Sequence, residues 1–103
     1  MNTVTIRGTE HPFRYGYGAL FRAEEALGKA WGEIPQNMYT QFVLVYSCLH
    51  NADAEFPYTF EEFIAICDED CNVYVQCSEV MARQIAMWGK PTKVEEGDDK
   101  KKD

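Results

Sequence analysis

The chain has 103 residues, of which 46% are hydrophobic and 14% aromatic, and it carries a net charge of −7. That length holds one domain with one core, and that apolar fraction argues for a folded chain over a disordered one. No apolar run approaches the roughly 18 residues of a membrane span, and Met1 leads directly into the alternating stretch MNTVTIR without an apolar leader, so a cytosolic protein is expected.

The charge is unevenly placed. Between Ala30 and Ala82 there is no Lys or Arg, while Glu33, Asp53, Glu55, Glu61, Glu62, Asp68, Glu69, Asp70 and Glu79 are all acidic. Such a surface repels a phosphate backbone, so the expected partner is a neutral or basic protein and not nucleic acid. The last stretch, KPTKVEEGDDKKKD, holds five positive and five negative charges without periodicity. Residues 90–103 are therefore expected to form a disordered tail behind a single domain over 1–89.

In chain order, Val4 and Ile6 alternate with polar residues, Gly8 interrupts, and Phe13 and Tyr15 alternate against Arg14. This predicts a β-hairpin with strands over Thr3–Arg7 and Pro12–Tyr15 and a tight turn at Gly8. After the glycines of YGYG, Leu20, Phe21, Glu24 and Leu27 recur at helical spacing until Gly28, which predicts a first helix over Tyr17–Leu27. A second helix starts at Met38, with Met38, Phe42, Val45 and Leu49 on one face and Tyr39, Val43 and Tyr46 on the next. Thr59 and Glu62 have capping-box spacing and open a third helix whose Phe60, Phe63, Ile64 and Cys67 are expected to be buried. A fourth helix is expected from about Asn72 to Trp88, with Tyr74, Cys77, Met81, Ile85 and Trp88 on one stripe, ended by Gly89 and Pro91. The fold class is thus α+β, mainly α, an N-terminal hairpin followed by about four helices.

One stretch imitates a metal loop. In DEDCNVYVQCSE, Asp68, Asp70, Asn72 and Glu79 take positions 1, 3, 5 and 12 of a twelve-residue window, the ligand spacing of a calcium-binding EF-hand. The sixth position of such a loop is a glycine, however, and here it is the β-branched Val73. An acidic turn in which Asp70 or Asn72 caps the fourth helix explains the same residues. Cys67, Cys71 and Cys77 are spaced C-x3-C-x5-C, which does not match a zinc knuckle, so the four cysteines are read as free thiols and no metal or other cofactor is expected. No nucleophile elbow, metalloprotease motif or phosphate-binding glycine loop is present, His11 and His50 carry no motif, and an enzyme is not expected.

Taken in order, these features resemble the tail assembly chaperones of long-tailed bacteriophages and prophages. The carrying stretches are VTIRGTEHPFRYGYGALFRAEEALGK and YTFEEFIAICDED, and the likeness covers roughly residues 3–88. The resemblance implies a protein of the bacterial host's cytoplasm that binds apolar helical segments of the tape measure protein and keeps it soluble until the tail tube assembles. Its further partners would be the tail tube protein and a longer, frameshifted form of the chain itself. Lys100–Lys102 offers a place for a slippery adenine run. From the wide apolar faces of the second and fourth helices, Met38, Phe42, Tyr46, Met81, Ile85 and Trp88 are the expected partner contacts. The competing readings are a small structural head-tail or tail component of the virion and a calcium-binding regulatory module.

Overall fold

The computed structural model describes residues 2–88. The expected tail over 90–103, the helix stop at Gly89 and Pro91 and the Lys100–Lys102 run lie outside the described residues. An antiparallel hairpin of β1 (Thr3–Ile6) and β2 (Thr9–Pro12) is followed by α1 (Tyr17–Leu27), a single 3-10 turn at Trp31–Glu33, α2 (Met38–Ala52), α3 (Phe60–Glu69) and α4 (Cys71–Trp88). The chain is therefore α+β and mainly α.

The second strand starts three residues earlier than its alternation predicts. Arg7 and Gly8, with φ of 52° and 82°, form a two-residue turn with positive φ at both positions, which places Thr9 directly opposite Ile6. His11 thereby falls opposite Val4, and Val4, Ile6, His11 and Phe13 all turn into the core. The segment from Phe13 to Tyr15 is not a strand. It threads between α2 and α4, held by side chains from both.

α2 lies at the centre and packs against α1, α3, α4 and β2. Its start is capped reciprocally, since the Asn37 amide donates to the Thr40 hydroxyl and the Thr40 amide to Asn37 Oδ1, both at 3.0 Å. Both expected apolar faces turn inward, with Val43, Leu44, Val45, Cys48 and Leu49 buried, and only Met38 and Tyr39 of the first turn stay outside. α1 runs antiparallel to α2 and meets it through the buried Ala19 and Ala23. The helices approach closely where Gly18 faces Asn51, and a Cβ at Gly18 would collide with that side chain. α1 ends at Gly28, whose left-handed φ of 71° lets its amide reach the Glu24 carbonyl at 2.8 Å.

The Thr59–Glu62 capping box forms as its spacing predicts, with bonds of 3.1 and 2.8 Å. The buried face of α3 is Phe63, Ile66 and Cys67; Phe60 and Ile64 are half-buried at its margin. The EF-hand-like window is the end of α3 and the first two turns of α4. Asp70 caps α4, its carboxylate accepting from the Asn72 amide at 3.0 Å, and Val73 is buried in the core. Among the described residues no group of three His, Cys, Asp or Glu side chains is placed to hold a metal ion, and no helix is long and apolar enough to cross a membrane.

Candidate partner-binding surface

Two glutamines of α4 hold the hairpin and the extended segment that follows it. Gln76 accepts from the Thr5 amide at 3.0 Å and donates to the Thr5 carbonyl at 3.1 Å, so its side chain takes the place a third strand would occupy. Two helical turns later Gln84 repeats the arrangement, accepting from the Tyr15 amide at 2.7 Å and donating to the Phe13 carbonyl at 2.8 Å. Between these, the Arg14 amide bonds the Cys48 carbonyl at 3.1 Å and the Arg14 carbonyl accepts from Asn51 at 3.1 Å. The backbone around Arg14 is thus bonded on both sides, and the side chains of Arg14 and Tyr15 are presented at the end of α4.

The six expected contact residues do not share one face. Met38, 64% exposed, and Phe42 lie together at the start of α2, where with Tyr39, Ile64 and Asp68 they line a shallow hollow of about 210 Å³. Phe42 is half-buried, its ring stacked on Tyr74 at 4.5 Å. Tyr46 belongs to an interior aromatic cluster with His50, Phe56, Phe60 and Phe63, and its hydroxyl donates to the Tyr58 carbonyl at 2.7 Å. That leaves the hydroxyl oxygen to accept from His50 Nε2 at 2.9 Å. Burial raises the Tyr46 pKa, with Glu62 adding to it, so the hydroxyl stays a neutral donor. Met81 packs half-buried against the core. Ile85 and Trp88, 41% and 46% exposed, lie on the last turns of α4.

Trp88 joins a second aromatic group that its own helix does not supply. Its ring meets Tyr15 edge-on at 5.4 Å and Tyr17 at 5.0 Å, and Tyr17 stacks on Phe21 at 6.2 Å. Tyr17 and Phe21 are 65% and 63% exposed, and Met87 continues the surface. The expected contacts include neither Tyr17 nor Phe21, and the helical repeat of Leu20, Phe21, Glu24 and Leu27 does not by itself divide inward from outward residues. The signal that separates them is the pair Ala19 and Ala23, whose small side chains at i, i+4 mark the face that presses on α2 and leave Tyr17 and Phe21 to the other side.

Beside these rings, Asn2, Arg14, Tyr15, Arg83, Gln84, Met87 and Trp88 line a cleft of about 460 Å³. This end of the molecule and the Met38 hollow are separated along α2 by about 13 residues, or roughly 20 Å at helical rise.

The cysteines are free. Cys48, Cys67 and Cys77 are buried and Cys71 is exposed at the start of α4. Burial pushes the Cys67 thiol up to about 11 and the Cys77 thiol to about 12, so neither is a nucleophile near neutral pH. Compared with protein-family models, with curated proteins and with solved structures, the chain matches none of them.

Proposed function

We propose that the protein is a phage tail assembly chaperone, a non-enzymatic binder that acts in the bacterial host's cytoplasm on apolar helical segments of a tape measure protein. The observation that supports this best is the exposed aromatic surface of Tyr17, Phe21 and Trp88, with Tyr17 in contact with both other rings and all three partly open to solvent. A contiguous apolar surface of this kind is what a groove or face for a partner helix requires. Binding there would act by mass action, lowering the concentration of client segments free to aggregate.

The test is co-expression with a tape measure protein of a long-tailed phage, the client this reading names. The wild type should keep that client in the soluble fraction as a complex. Combined Phe21→Ser and Trp88→Ser substitutions should release it to the pellet, since aromatic anchors of this type carry about 2 kcal/mol or more each. A client equally soluble with and without the chain would overturn the reading. Retention of the chain in purified virions would replace the chaperone with a structural tail component.

A further inference from the structure

We propose that the cleft between the Arg14–Tyr15 backbone and the end of α4 selects a partner helix that carries a carboxylate beside its apolar anchors. The inference rests on the functional reading above only in taking this end of the molecule as a binding surface.

The cleft's polar groups point to the chemistry of its occupant. Gln84 lines it, but both ends of the Gln84 amide are already bonded to Phe13 and Tyr15. The charged groups left are the guanidinium groups of Arg14 and Arg83, which donate hydrogen bonds and accept none. Among the described residues the ion pair found is Arg7–Glu69, at 3.2 Å on another side of the molecule, and within those residues neither cleft arginine has a carboxylate partner. Of the remaining walls Asn2 is a neutral amide that both donates and accepts, Tyr15, Met87 and Trp88 are largely apolar, and the exposed rings of Tyr17 and Phe21 extend them beyond the cleft. An occupant that satisfies both parts is an amphipathic helix with Asp or Glu three or four residues from an aromatic or aliphatic anchor, since such residues share a helix face. A phosphate backbone also offers acceptors and stacking bases, but it carries a run of charges that would reach past the two cleft arginines to a stretch from Ala30 to Ala82 with nine acids and no cation, whereas one or two carboxylates on an otherwise neutral or basic helix meet only the cleft. The acidic helix is therefore the favoured occupant.

The test uses the full chain with Trp31→Phe, which leaves Trp88 as the sole indole reporter. Three synthetic amphipathic peptides of about 18 residues, five helical turns, share one apolar face and carry flanking Glu, Gln or Lys. The Glu peptide should shift Trp88 emission and bind about tenfold more tightly than the Lys peptide, as charge-assisted pairs with guanidinium groups would give, and added salt should erase the difference. Combined Arg14→Gln and Arg83→Gln should abolish the preference. Both residues are exposed, so the melting temperature should hold; amide chemical-shift mapping on the wild type reports the same site if it does not. Equal binding of all three peptides, preference for Lys, shifts mapping away from Arg14 and Arg83, or no binding would overturn the proposal, as would tighter binding of a single-stranded oligonucleotide. A client still held in solution after such a failure would leave the functional reading standing. A client released to the pellet while the Glu peptide binds would sink that reading alone.

Discussion

The molecule contains two aromatic clusters of similar composition and opposite standing. One, around Tyr46, His50, Phe56, Phe60 and Phe63, has its polar tips tied inward to the Tyr58 carbonyl and to each other, and its rings fill the space between α2 and α3. The other makes comparable ring contacts, but of Tyr15, Tyr17, Phe21 and Trp88 only Tyr15 is half-buried, and the group lies beside two arginines that have no carboxylate partner among the described residues. Ring-to-ring contact therefore does not separate core from surface here. What separates them is the packing partner behind the rings, a second helix in one case and the alanine face of α1 turned away from them in the other.

The sharpest way to break this comparison is to truncate one ring from each cluster. Phe63→Ala removes a fully buried side chain and should lower unfolding free energy by about 3–5 kcal/mol in urea titration. If the interior cluster were dispensable, that loss would be absent. Gln84→Ala should cost about 1–3 kcal/mol, because it leaves the Tyr15 amide and the Phe13 carbonyl without their partner, and hydrogen exchange at Tyr15 should accelerate while that at Phe63 stays slow.

A pH titration sharpens the comparison further. Burial lowers the pKa of His50 from 6.5, helped by Arg22 and opposed by Asp53. The folded protein then binds fewer protons than the unfolded chain just below that value, so stability is whole above about pH 6.5 and declines as the pH falls through it. Thermal melts of His50→Gln should lose this slope. The smallest expected effect is on the exposed cluster: Phe21→Ser should change stability by no more than about 0.5 kcal/mol while client retention is lost, and a large destabilisation would mean the ring is structural after all.

Much of the fold was legible because its signals are local. The capping box at Thr59 and Glu62, the glycine stop at Gly28 and the helical start at Met38 each depend on residues within a few positions, and the structure places them as read. The second strand was displaced because alternation at Phe13 and Tyr15 is equally the signature of an extended segment held by side chains, and only the turn conformation at Arg7 and Gly8 fixes the register. For the candidate contacts, the sequence pattern told exposure from burial only in part. Met38, Ile85 and Trp88 are exposed as a contact requires, whereas Tyr46 and Met81 pack against the core, since a wide apolar arc on α2 needs three helices and a strand to cover it. Tyr17, Phe21 and Arg14 come to Arg83 and Trp88 of α4 only through contacts that span most of the chain.

Those contacts set an order of events. Gln76 and Gln84 bond backbone groups 69 to 71 residues away, so the first element to leave a ribosome is the last to be locked. Until α4 has emerged, the outer edge of β1 presents an open Thr5 amide and carbonyl, the kind of edge on which stray strands assemble. Completion of α4 closes that edge with the Gln76 side chain, ties down Phe13 and Tyr15 with Gln84, and brings Trp88 to Tyr17. On the proposed function, a nascent chain would thus acquire its binding surface only when it is no longer itself prone to aggregate, and chains truncated before Gln76 should be both inactive and sticky.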